Sequence, residues 1–208
     1  DESLLQTKVL NKQVERMLED PRIGQFIENF IGQWLRLREI NETTPDRKLY
    51  NEYDELLQHS LILESELFFR HLLDENLSVA NCLDSDFAFL NERSARHYGI
   101  DGLDGAKLRK VALPPESVRG GVLTQGAVLK VTANGTNTSP VLRGTWVLEN
   151  ILGQTPRPPP PNIAGLEPDI RSAVTIREQL DKHRDVASCN ACHRFIDPPG
   201  FALESFDP

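Results

Sequence analysis

Cys189-Asn190-Ala191-Cys192-His193 is the stretch of this sequence whose residue types and spacing specify a chemistry. Two thiols with an imidazole directly after the second form C-x-x-C-H, the attachment signal for c-type haem. The thiols add across the two vinyl groups on one edge of the porphyrin, so they must stand about one helical turn apart. The histidine then binds the iron axially from beneath the ring. Three cysteines and five histidines are present, and at those frequencies chance supplies the motif about 0.001 times. The expected cofactor is therefore haem c, with Cys189 and Cys192 as thioether donors and His193 as the proximal iron ligand.

Other readings of the same residues are weaker. Cys189, Cys192, His193 and His183 could form a structural zinc site, but two adjacent ligands suit a tetrahedron poorly and no second C-x-x-C exists. A thioredoxin-like redox pair needs a strand before the motif and a β-α-β setting, whereas the preceding sequence is helical. The two thiols could also be a plain structural pair. Cys82 stands alone, and three cysteines do not make a disulfide framework.

A second axial ligand would separate electron transfer from catalysis. His183, six residues before Cys189, could supply it, bond a propionate or a backbone carbonyl, or simply end a helix. No methionine follows Met17, which lies on a helical stripe with Leu10, Val14 and Leu18 and is expected in the core. His97, Arg96 and Arg143 are the weak candidates for a distal catalytic group. His59 and His71 fall on the polar side of a long helix and read as solvated. Asp84 with Asp86, and Asp101 with Asp104, read as turn acids rather than calcium ligands.

The elements that must position these residues are mainly α. Helical periods run through Leu4 to Leu18 and Ile23 to Leu35, the second preceded by Asp20 as cap and Pro21 as first helical position. The segment from Asn51 to Leu73 is the longest helix. Residues 82–90 read as a turn and a short extended piece, after which Asn91 can cap a short helix ending before Gly99. Val118 to Val131 leans helical although three glycines weaken it. Ser139 and Pro140 open a helix burying Leu142, Trp146, Leu148 and Leu152. Thr175-Ile176-Arg177-Glu178 fits a capping box for a helix through His183. After His193 a proline-glycine turn and a short apolar helix are expected. The domains are thus a helical one over 1–117 and a loop-rich, cytochrome c-like one over 118–208. The second contains a stiff proline-rich linker at 156–161.

Composition narrows the function. Of 208 residues, 39% are hydrophobic and the net charge is −8, so about 70% of the unfolded surface can be buried without help from metals or disulfides. No basic face exists for a nucleic acid. No run approaches the roughly 18 apolar residues of a membrane span. The chain begins Asp1-Glu2-Ser3 and ends Phe206-Asp207-Pro208, which reads as a piece of a larger protein.

The sequence resembles large secreted or periplasmic cytochrome-like proteins of planctomycetes and related bacteria, in two adjacent domains of unknown function numbered 1592 and 1588. The first is carried by Asp20-Pro21-Arg22, Asn29 to Leu35, Glu64 to Phe68 and Phe89 to Arg93 with Ala95 to Gly99. The second is carried by Arg119 to Gln125, Thr138 to Gly144, the polyproline run and His183-Arg184 ahead of the cysteine motif. Asn51 and Arg157 stand where the family pattern has prolines, and Cys82, Ser94 and Pro199 where it has apolar residues. None of these departures touches the C-x-x-C-H. The resemblance implies a multidomain parent with further domains flanking this piece, and no particular reaction.

The expected function is a c-type haem electron-transfer module serving a redox partner protein or adjacent domains of its parent. A haem enzyme, peroxidase-like or an oxidase, is the alternative, and a zinc-bearing interaction domain a third. Haem c is attached outside the cytoplasm, so a periplasmic or cell-surface location is expected. Made without attachment machinery, the piece is expected as an apo form.

Overall fold

Apolar residues at three–four spacing organise the first half of the chain, and a computed structural model describing residues 2–156, 175–184 and 187–206 shows what each stripe covers. The chain divides into two compact units, Asp1–Val131 and Thr132–Pro208. Residues 118–131, grouped with the second domain by sequence pattern, pack within the first unit. Both units are mainly helical, and the described residues include one small two-stranded sheet.

In the first unit α1 (Thr7–Leu18), α2 (Ile23–Trp34) and α3 (Glu55–Asp74) come first. Ile27 and Ile31 of α2, with Leu35 just beyond it, are buried. They lie on the helix that packs against α3, which buries Leu57, Leu61, Phe68 and Leu72. The Asp54 carboxylate accepts the Leu57 N–H at 2.7 Å. This cap satisfies one of the orphan donors of the first turn, so α3 starts at Glu55 rather than Asn51. Asp20 and Pro21 form a turn ahead of α2 instead of its first residues: the Asp20 carboxylate accepts the Arg22 N–H and pairs with its guanidinium, each at 2.9 Å.

Strand β1 (Phe87–Leu90) leads into α4 (Glu92–His97). As the sequence suggests, Asn91 caps α4, accepting the Ser94 N–H at 2.9 Å. Its amide also donates to Ser60 of α3 and to the Ala106 carbonyl. Strand β2 (Arg109–Ala112) pairs antiparallel with β1, Phe87 opposite Ala112 and Leu90 opposite Arg109. The sequence reading has no strand there, because Arg109 and Lys110 face solvent and leave no apolar alternation to read. Val118 to Val131 is not one helix: a 3-10 turn at Val122–Thr124 precedes α5 (Gly126–Val131).

Two further expectations are overturned. The α1 stripe is not core, since no residue of α1 is buried and Met17 is 57% exposed. A helical period tells which residues share a face, not what that face meets. His71 is half-buried rather than wholly solvated: its ring meets Phe87 and Phe89 edge-on, at 5.2 and 5.6 Å between centroids.

The first unit also buries a carboxyl. Glu64 of α3 is buried beside Tyr98, whose hydroxyl donates to Oε2 at 2.5 Å and accepts the Gly126 N–H at 2.7 Å. The Arg119 guanidinium lies 4.0 Å from the centre of the Tyr98 ring. Burial outweighs these contacts and pushes the Glu64 carboxyl up to about 8.

In the second unit Ser139 caps α6 (Pro140–Trp146), accepting the Leu142 N–H at 3.3 Å, and Pro140 takes the first turn. The helix runs on as a π turn, Val147–Ile151. Trp146 and Leu148 are buried as expected, whereas Leu142 and Leu152 are exposed. In α7 (Ile176–Arg184) the expected capping box forms: Glu178 N–H donates to the Thr175 hydroxyl, and Thr175 N–H to the Glu178 carboxylate. Residues 157–161 of the proline run lie outside the described residues.

The last helix, α8 (Ala187–Phe201), passes through Pro198 and Pro199, where the sequence suggests a turn. Two prolines remove two intrahelical donors, and packing on α6 offsets the loss. At Gly144 an added Cβ would lie 1.8 Å from the Ile196 carbonyl oxygen, and at Gly200 it would lie 1.8 Å from that of Pro140. The two backbones therefore touch, running antiparallel, at two points four residues apart on each helix.

Two outcomes follow from this packing. Gly144→Ala should lower stability by about 1–3 kcal/mol or more, seen as a lower urea midpoint. Gly24→Ala in α2, where an added Cβ meets nothing within 4 Å, should leave the midpoint unchanged or raise it. The buried Glu64 keeps its proton in the folded chain up to about pH 8, while the unfolded chain ionises it in the ordinary range near 4.5. Between those values the folded state binds more protons, so wild-type stability should fall as pH rises and level off above 8. Glu64→Gln should remove that part of the pH dependence in urea titrations.

Candidate functional site

The cysteine motif lies inside α8, not in a loop. Residues three and four apart share a helix face, so Cys189 and Cys192 stand one turn apart and His193 stands one turn before Asp197. Both cysteines are free thiols; Cys189 is buried and Cys192 partly exposed. Cys192 opens on a cleft of about 580 Å³ walled by Leu148, Pro156, Arg194, Phe195 and Ile196 among others. Cys189 and His193 do not line it. Cys189 instead has its sulfur 4.0 Å from the Ser188 hydroxyl.

His193 is held from behind. Its Nδ1 is 2.8 Å from Oδ1 of Asp197, a fully buried carboxylate. An ionised carboxylate can only accept, so a hydrogen bond between the two would require the ring proton on Nδ1 and leave the lone pair on Nε2. The other oxygen, Oδ2, has no hydrogen-bond partner among the described residues and faces the Arg184 guanidinium of α7 at 3.8 Å. Arg184 also pairs with Asp181, and Arg177 pairs with Glu204 while lying 4.1 Å from the centre of the Phe201 ring. The Arg184–Asp197 and Arg177–Phe201 contacts tie α7 to the C-terminal half of α8. The side chain of His183 lies outside the described residues.

Among the described residues no three His, Cys, Asp or Glu side chains converge as metal ligands. The zinc set read from the sequence includes His183, whose side chain is outside the described residues; neither Asp84 with Asp86 nor Asp101 with Asp104 belongs to a group of three such side chains among the described residues.

The distal candidates have other occupations. Arg143 of α6 is fully buried, and its Nη1 donates to the carbonyls of Leu203 and Phe206 at 2.7 and 2.6 Å. It holds the chain that follows α8. His97 belongs to the first unit, with its ring beside Tyr98 and Nδ1 4.0 Å from Glu52. Burial and the nearby Arg119 lower its pKa. Arg96 pairs with Glu92 on the surface of α4.

Sequence reasoning missed Asp197. The signal was present as an aspartate four residues after a histidine, but it counts only if both lie on one helix. The expected proline-glycine turn hid that continuity.

Two family comparisons cover most of the chain. Residues 1–100 match a family described as Protein of unknown function (DUF1592), short name PSD4, and residues 119–208 match Protein of unknown function (DUF1588), short name PSCyt3. The chain is a DUF1592–DUF1588 tandem. No curated protein and no solved structure matches it. The order of the two domains is the one the sequence resemblance implies. The DUF1588 match contains α6, α7 and α8, and with them the cysteine motif, Arg143 and Asp197.

Arg143 yields a direct test of its place in this site. Arg143→Met removes two charge-assisted bonds to buried carbonyls, which should cost about 3 kcal/mol and speed amide exchange at Leu203 and Phe206. Unchanged exchange there would contradict its structural role.

Proposed function

We propose that this tandem is a c-type haem electron-transfer module of an exported protein. The observation that carries the reading is the C-x-x-C-H on one helix with the Nδ1 of its histidine engaged by a carboxylate, the arrangement that metal-ligating histidines commonly use. The label PSCyt3 of the second family supports it. Cys189 and Cys192 would hold the group by thioether bonds and His193 would ligate the iron, although of the three only Cys192 lines the cleft. The cleft beside Cys192 has the size of a small-molecule site. Arg194 and Phe195 on its wall offer a cation and an aromatic face to a planar, anionic group. Attachment would draw the Cys189 thiol out of its cover. When bound, haem c supplies one-electron chemistry.

Within that reading the protein's own residues bind and orient; among the described residues none forms an acid–base pair at the cleft. Electrons would pass to a redox partner or to adjacent domains of the parent, in the periplasm or at the cell surface. His183 would be the candidate for a second ligand to the iron. The His193–Asp197 pair also favours a second reading, a haem enzyme with an open distal side, because a more basic proximal ligand stabilises oxidised iron. Carbon monoxide or cyanide binding separates the two.

The chain should be expressed with haem-c maturation machinery and its absorbance spectrum recorded before and after acid-acetone extraction. Haem should remain with the polypeptide and be lost in Cys189→Ala with Cys192→Ala. A colourless wild-type protein would sink the reading.

A further inference from the structure

Asp197 is an unusual place for a charge. It is fully buried, with His193 Nδ1 at one oxygen and the Arg184 guanidinium at the other. Removing a carboxylate from water costs several kcal/mol unless close partners compensate. Thioether attachment does not require it, since it needs only the cysteines. Capping does not require it either: Asp197 lies in the interior of α8, not in its first turn. Its position four residues after His193 directs it to that ring.

We propose that Asp197 is a positioning residue for His193, fixing the proton on Nδ1 so that Nε2 serves as a strongly donating axial ligand and keeps the bound iron at a low reduction potential. The proposal rests on the haem reading above. A carboxylate accepting the Nδ1–H draws that proton towards itself and leaves more electron density on the ring. A more basic ring stabilises the ferric over the ferrous ion and lowers the potential. Arg184 opposes this by drawing charge from Oδ2. The two side chains therefore act on the iron with opposite signs through one carboxylate.

The test uses the full chain carrying haem, as wild type, Asp197→Asn and Arg184→Gln. Asparagine keeps the size and an acceptor oxygen but not the charge, so the midpoint potential should rise. Arg184 has a part-exposed side chain, so Arg184→Gln carries the test if Asp197→Asn does not fold, and its potential should fall below wild type. In the same chain made without haem, side-chain nitrogen NMR at a pH where imidazole is neutral should show His193 protonated on Nδ1. Haem-bearing Asp197→Asn with a potential at or below wild type overturns the proposal and leaves the haem reading intact. So does an Arg184→Gln potential equal to or above wild type, or a wild-type ring protonated on Nε2. Wild-type chain that takes up no haem overturns the haem reading and the claim about potential, while the tautomer still decides whether Asp197 orients His193.

Discussion

Two backbones that touch set the arrangement of the second unit. Where α6 crosses α8, Gly144 leaves room for the Ile196 carbonyl and Gly200 for that of Pro140. No side chain larger than hydrogen fits at either point. The contact holds α8 in one piece through Pro198 and Pro199, residues that would otherwise end it. Because α8 continues, Asp197 lies on the same face as His193, one turn on. Arg143 extends the same contact from the α6 side by binding the carbonyls of Leu203 and Phe206. The cysteine pair, the histidine and its carboxylate are thus all carried by one helix.

The first unit is built on different physics. Its core is the packing of α2 on α3 and of α3 on β1, completed by buried polar groups that are hydrogen-bonded. Asn91 joins the start of α4 to α3, and Tyr98 joins its end to Glu64 and Gly126. Such contacts fix register in a domain whose sheet has only two short strands.

Much of this was legible because it is local. The caps at Asn91, Ser139 and Thr175 act within three residues of themselves, so their types announce them. The C-x-x-C-H is local for the same reason. What escaped depends on contacts distant in sequence. The α1 stripe has helical spacing yet is exposed, because spacing does not name a partner. Strand β2 is defined by pairing with β1 rather than by alternation of its own. Glu64 sits on a polar-looking position of α3 and is buried only because Tyr98 and Arg119 come from later in the chain. Asp197 needed the crossing of α6 to keep it on one helix with His193.

The most direct test of the central claim is a mass measurement on the matured chain. Trypsin cutting after Arg184 and Arg194 releases residues 185–194, a fragment containing both Cys189 and Cys192. If α8 is a haem-c attachment helix, that fragment from protein matured with the attachment machinery carries the mass of one haem and has no alkylatable thiol. A fragment of unmodified mass with both thiols open to alkylation, from a chain exposed to the same machinery, would contradict it.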